Sequence, residues 1–342
     1  MLREVRNHFV ASAAVATALR VLASCAGPAD LVASSPGDFD PVHPPQVLSL
    51  TGSIQLSDPA VTQVAERLWL YSTGPGIAVR SSADILAWQD EKPVFDQNPA
   101  WIADVLPAVT DLWSPSIAYF GGQFHLYYAA STYASDQSCI GHATADSIGP
   151  GEAFTDLGSL ICSNVSGATD NFNAIDPSIF FEDETDPWLV FGSYDSGIKL
   201  IALDAQGNRL DSQMTSIAAR SSDNPAIQAP FLMKRSGYYY LFVSFDHCCE
   251  GANSDHSIRV GRATELTGPY VDRDGVEMLN GGGTLVLASD SNWRGPGSNT
   301  VFMFSGKRYE AYHAYDASNG TATLRIAELD FDNDGWPVSG GP

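Results

Sequence analysis

One phrase returns five times along this chain: an X-Pro step opening a short apolar strand, a polar turn, then an aromatic strand. It reads Asp58-Pro59-Ala60-Val61 before Leu68-Trp69-Leu70-Tyr71, and Ser114-Pro115-Ser116-Ile117 before Phe124-His125-Leu126-Tyr127. It returns as Asp176-Pro177-Ser178-Ile179 before Trp188-Leu189-Val190-Phe191, and as Ala229-Pro230-Phe231-Leu232 before Tyr238-Tyr239-Tyr240-Leu241. A degenerate fifth copy, Ser298-Asn299-Thr300-Val301, precedes Tyr309-Glu310-Ala311-Tyr312. A third apolar strand follows each copy, starting at Ile77, Ile140, Ile198, Ile258 and Leu324, at steps of about 58–66 residues. These segments alternate or run apolar over strand length between Gly, Asp, Asn and Ser, and none carries a helical period. Three or four strands per repeat, five times over, predict an all-β, five-bladed β-propeller. A two-sheet sandwich has no reason to repeat five matched copies. The step exceeds the about 40–50 residues of common propeller repeats, so long loops are expected.

In a propeller the first strand of each blade lines the axis, so the X-Pro steps converge although they are far apart in sequence. The convergent set is Asp58, Ser114, Asp176, Gln228 and Ser298. One Asp-Pro step needs no explanation beyond starting a turn. Two at the same repeat position, facing one axis, point to a site.

The first residues read differently. Arg3 and Arg6 precede an apolar run from Phe9 to Leu22 that is too short and too polar to span a membrane, and Leu22-Ala23-Ser24-Cys25 follows. Residues 1–25 are therefore read as an export signal whose end resembles a bacterial lipoprotein cleavage box, with lipid attachment at Cys25. An ordinary signal peptide with an incidental cysteine is the alternative. Residues 26–45, rich in Pro, Ala, Ser and Gly, read as a flexible tether, and 46–342 as the propeller. The protein is expected in the periplasm, at the cell surface or secreted, as a monomer, meeting a membrane only through such an anchor. With 18 Lys and Arg against 40 Asp and Glu, a net charge of −22, the chain repels phosphate backbones, which argues against nucleic acid. An exported chain can oxidise cysteines. Cys139 and Cys162 flank one hairpin-sized segment and are a plausible bridge. Cys248 and Cys249 are adjacent and lack the C-x-x-C spacing of a zinc or redox site.

Several motifs together resemble the arabinanases of glycoside hydrolase family 43. They are Asn173-Ala174-Ile175-Asp176-Pro177 with Trp188-Leu189-Val190-Phe191-Gly192-Ser193, Ser72-Thr73-Gly74-Pro75-Gly76-Ile77, and Leu112-Trp113-Ser114-Pro115. Gly197-Ile198-Lys199-Leu200, Tyr238 through Asp246, the Cys248-Cys249 pair and His313-Ala314-Tyr315-Asp316 complete them. The likeness runs from about Asp58 to Trp336 and is nearest to endo-1,5-α-L-arabinanases. It implies an inverting hydrolase of arabinan, the side chain of pectin. Asp58 matches the general base, and Asp176 the carboxylate that tunes and orients the acid. An inverting pair stands roughly 6.5–9.5 Å apart to admit water. Trp113, Phe172, Asn173 and Ser193 match substrate positions, although ordinary blade packing is the other reading of Trp113 and Phe172. His313 matches the contact to an axial calcium ion, with waters supplying most of the shell. A buried, hydrogen-bonded histidine is the alternative there. An exo-acting arabinofuranosidase or xylosidase of the same family is the neighbouring reading.

The sequence departs from the family at three places. The general acid of the family is Glu in a Glu-Ala-Pro step, whereas this chain has Gln228-Ala229-Pro230, and an amide has no titratable proton to give. Ser57 stands where His usually precedes the base, and Ser298 where Gly-His-Asn is usual. A designed Glu→Gln exchange accounts for Gln228 alone. Drift to a weak or non-catalytic arabinan-binding lipoprotein accounts for all three. A substitute acid is the third reading, with Glu250 the nearest carboxyl in sequence. From sequence alone, Gln228→Glu is expected to raise arabinan hydrolysis at least about tenfold, because Asp58 and Asp176 are already in place.

Overall fold

The computed structural model describes residues 37–150, 152–182, 186–221 and 223–342. The export segment, Cys25 and residues 26–36 of the tether lie outside the described residues. The rest forms five antiparallel sheets in chain order, each a blade. The first blade is Ala60–Val64, Arg67–Ser72, Ala78–Ser82 and Ala87–Glu91, with Thr51–Gly52 added in parallel at its outer edge. The second is Trp113–Phe120, Gln123–Ser131, Ser138–Ala145 and Thr155–Ser163; the third is Ser178–Phe181, Pro187–Phe191, Ile198–Ala202 and Thr215–Ala218. The fourth is Ile227–Arg235, Tyr238–Phe245, Ser257–Ala263 and Thr284–Leu287; the fifth is Trp293–Phe304, Lys307–Asp316, Ala322–Phe331 and Pro337–Ser339. The first strands of the blades touch in a closed ring, and that of the fifth meets that of the first. The five-bladed propeller read from the repeats is the observed fold.

The apolar runs follow from this geometry. Successive side chains on a strand point to opposite faces, and here both faces of each blade are covered. Leu126 and Tyr128 pack toward the first blade, while Tyr127 between them packs toward the third. Tyr240 and Phe242 face the fifth blade, and Leu241 and Val243 the third. Five apolar clusters result, one in each cleft between neighbouring blades, and the cleft between fifth and first is filled by Leu68, Leu70, Ala311 and Leu324. Each fully buried large side chain contributes about 1.5–3 kcal/mol, so no single cleft dominates. Cys139 and Cys162 stand opposite one another on adjacent strands of the second blade and form the expected bridge, and Cys248 is bonded to Cys249.

The ring is also closed by the chain start. Leu48 donates its N–H to Ile326 O, Glu328 donates to Gln46 O, and Leu324 to Ile54 O, so this segment lies along the third strand of the last blade. Further upstream, in the segment read from sequence as a flexible tether, Asp38 accepts the N–H of Phe331 at 2.5 Å and pairs with Arg308 at 3.0 Å and Arg235 at 3.5 Å, so this part of the segment is docked on the propeller. Both arginines are buried and stack on the Phe331 ring. One carboxylate thus bridges two buried cations from the fourth and fifth blades.

Removing it leaves both without that countercharge. Breaking a buried pair costs about 3–5 kcal/mol, and less where solvent reaches it, as it does Asp38. Asp38→Ala is therefore expected to lower stability by about 2 kcal/mol or more, read as a lower urea midpoint. An unchanged midpoint would deny Asp38 this role.

Candidate functional site

A left-handed residue lies just before or within the first strand of every blade. Asp58, Ser114, Asp176, Ala229 and Ser298 have φ of 53°, 43°, 54°, 50° and 56°. None is glycine, and left-handed backbone costs roughly 1–2 kcal/mol per residue. Partners compensate: Asp58 N–H donates to His313 Nδ1, Ser114 N–H to Thr73 Oγ1, Ala229 N–H to Asp176 Oδ2 and Ser298 N–H to Ser244 Oγ. In the first case the acceptor comes from the fifth blade, in the second from the first, in the third from the third and in the last from the fourth, so four of the five kinks are tied to a neighbouring blade.

These five residues form the floor between two compartments on the axis. A narrow channel of about 150 Å³ lies on one side and a wide cavity of about 640 Å³ on the other, and all five line both. Gln228 is offset by one residue: Ala229 occupies the repeat position, and Gln228 lines the wide cavity alone. Trp113, Asn173, Ser193 and His313 line this cavity. Phe172 does not line it. That expectation is corrected, because Phe172 packs edge-on against Phe191 in the cleft between second and third blades. Glu250 lies at the cavity wall and Tyr133, 68% exposed, stands at its rim.

Asp58 accepts Thr73 Oγ1–H at 2.5 Å, and its second oxygen lies 3.5 Å from His313 Nδ1. Asp176 is pushed up to about 7, first by burial and then by the neighbouring charge of Asp58, against the lowering effect of Ser114 and the Ala229 N–H. Asn173 is fixed by Ser138, whose hydroxyl donates to its Oδ1. His313 is buried, which lowers its pKa and favours the neutral ring, while Asp58 acts in the opposite direction. Its Nδ1 accepts from Asp58, so the neutral ring carries its hydrogen on Nε2, a buried atom with no protein partner. Among the described residues no group of three or more His, Cys, Asp or Glu could hold a metal ion. Calcium prefers oxygen. The residues present fit an ion carried in a water shell beside His313, and do not fit one caged by protein ligands.

A residue that sequence reasoning passed over is His256, which precedes the third strand of the fourth blade. It lines the cavity, is buried, and its Nε2 lies 2.6 Å from Gln228 Nε2. It packs against Gly297, where an added Cβ would lie 2.4 Å from its Nδ1. An imidazole therefore stands beside Ser298, the position at which the family pattern has histidine. Nothing in Ser254-Asp255-His256-Ser257 marks it, since only the packing of the fourth blade against the fifth brings it there.

The sequence profile of "Glycosyl hydrolases family 43" matches residues 51–337. The chain is 38% identical over 288 residues to an "extracellular endo-alpha-(1->5)-L-arabinanase 1" of Bacillus subtilis, covering 82% of this chain and 87% of that one. It is 35% identical over 300 residues to an "extracellular exo-alpha-(1->5)-L-arabinofuranosidase" of Cellvibrio japonicus, covering 83% and 86%. Among solved structures, an endo-arabinanase from Bacillus licheniformis superposes with a TM-score of 0.79 at 37% identity, over 85% of this chain and 99% of that one. A Cellvibrio cellulosa α-L-arabinanase complexed with arabinohexaose gives 0.79 at 34%, over 84% and 96%.

The raised pKa of Asp176 has a measurable sign. Its ordinary value is 3.8 and its folded value about 7, so between the two the native state holds the extra proton. Stability therefore falls as pH rises through this window. Asp176→Asn is expected to flatten the fall of urea midpoint between about pH 4 and 7. An identical slope in both proteins would mean that Asp176 titrates normally.

Proposed function

Because the chain belongs to family 43 of the glycosyl hydrolases, we propose that it acts on 1,5-linked α-L-arabinan by an inverting mechanism, with attenuated hydrolysis. The observation that carries this reading is the convergence of Asp58 and Asp176 at equivalent kinks on the floor of one cavity, with Gln228 on its wall. Asp58, held by Thr73, is the base that takes a proton from water. Asp176 orients the floor through Ala229, the residue next to Gln228. Trp113 and the exposed Tyr133 offer aromatic faces to sugar rings, and Asn173 and Ser193 offer polar contacts. Inversion also needs a proton delivered to the leaving oxygen, and Gln228 has none to give. General acid catalysis contributes typically about 10²–10⁴-fold, so its loss slows turnover without abolishing it.

A second reading, an arabinan-binding protein that does not hydrolyse, is favoured by the same amide at position 228. The extracellular names of relatives support export, and Cys25 is the proposed lipid attachment point of a monomer. Calcium carried in water beside His313 would supply positive charge to a cup lined with carboxylates.

Reducing-end release from linear α-1,5-arabinan, set beside calorimetric binding of the same oligosaccharides, tests the two readings. Slow release is expected, falling at least about 100-fold in Asp58→Asn with binding retained. Binding without release supports the non-hydrolytic reading, and neither binding nor release sinks both. For the ion, a chelator is expected to lower the melting temperature and added calcium to restore it. No shift in either direction would count against calcium.

A further inference from the structure

Gln228 is not a passive stand-in for a carboxyl group, because its amide has a determined orientation. Its Nε2 lies 3.3 Å from the carbonyl oxygen of Asp246, which can only accept. The nitrogen side of the amide therefore faces inward. The same nitrogen lies 2.6 Å from His256 Nε2, so that ring nitrogen must also accept. A primary amide has two N–H groups, and both are engaged. The frame around them is fixed: Asp246 is left-handed, donates its own N–H to Ala226 O, and is bound by Arg220 at 2.7 Å. Gln228 Oε1 is left with only a long contact of 3.5 Å from Ser193 Oγ.

We propose that His256 is a positioning residue for Gln228: with the Asp246 carbonyl it turns both amide hydrogens away from the cavity and leaves Oε1 to accept a hydroxyl group of the bound glycan. Position 228 is then a recognition element in place of a proton donor. The state of the ring is part of the inference. His256 must carry its hydrogen on Nδ1, the buried atom against Gly297 that has no protein partner. Burial keeps the ring neutral, as this requires.

The consequence for reversion differs from the expectation drawn from sequence. A carboxylate at 228 would meet His256 across the same short distance. The ring can move its hydrogen to Nε2 and donate, which holds the carboxyl group ionised and so without a proton for the leaving sugar. A negative Asp176 on the same cavity floor would raise the pKa of a glutamate at this position, and His256, 2.6 Å from the present amide nitrogen, opposes it.

This inference rests on the arabinan reading only for its kinetic half. In the full chain with ¹⁵N-labelled histidine, long-range ¹H–¹⁵N correlation is expected to show His256 neutral and protonated at Nδ1, assigned by its loss in His256→Leu. A hydrogen on Nε2, or a charged ring, overturns the proposal whatever the substrate. On linear α-1,5-arabino-oligosaccharides, Gln228→Glu is expected to raise kcat less than about threefold. Gln228→Glu with His256→Leu is expected to exceed the single variant by at least about tenfold, mostly in kcat, with KM little changed. A full gain in the single variant, with none added by the second change, also overturns it. If no variant binds or cleaves these oligosaccharides, the substrate reading fails and the ring state alone decides. The same measurement decides if the leucine variant does not fold, with His256→Asn then supplying the assignment.

Discussion

A left-handed residue just before or within each inner strand is the constraint on which the axial site depends. Five non-glycine residues with φ between 43° and 56° turn the chain from the wide cavity into the channel wall. Each costs roughly 1–2 kcal/mol in isolation, so the turn persists only where the surroundings over-determine it. Hydrogen bonds from the kinked N–H groups to Thr73, Asp176, Ser244 and His313 supply that. Three of the side chains that hold the backbone, Thr73, Asp176 and His313, also line the wide cavity, so structure and chemistry share atoms. Asp176 shows this plainly, since one of its oxygens accepts the Ala229 N–H while its charge state responds to Asp58.

The electrostatics of the cup follow from burial more than from pairing. Asp176 is raised, and His256 and His313 are lowered, and in each case desolvation is the leading cause. Neutral imidazoles can accept a hydrogen bond on one nitrogen, and both rings do so. They differ in which nitrogen accepts. His313 takes the Asp58 N–H on Nδ1, and His256 takes the Gln228 amide on Nε2. A proton donor at position 228 is therefore missing twice over: the side chain is an amide, and its amide hydrogens point elsewhere.

Much of this was legible in the sequence because it repeats. The X-Pro step at Asp58, Ser114 and Asp176 recurs in fixed relation to the aromatic strands, so blade number, strand order and the meeting of these residues follow from period alone. The equivalence of Gln228 with them was one residue out, because Ala229 takes the left-handed position. The X-Pro phrase itself puts Ala229 at that position, and Gln228 was set there for its chemistry. Phe172 was ambiguous between sugar and core because no repeat position governs it. Aromatic rings serve both, and only the cleft against Phe191 chooses.

The sequence by itself determined the all-β fold, its five blades and the gathering of two carboxylates with Gln228 at one end of the axis. All of these depend on alternation, spacing and composition, which are local or periodic. Tertiary structure alone decided that Asp38 pairs with Arg235 and Arg308, and that His256 meets Gln228. Asp38 is 270 residues from Arg308 in sequence, and His256 lies 28 residues beyond Gln228. Neither pair follows the repeat, so no pattern announces it. The closing of the ring joins Asp38 to the two arginines, whereas strand pairing within the fourth blade sets His256 beside Gln228, and in both cases the packing fixes which polar atoms must then find partners.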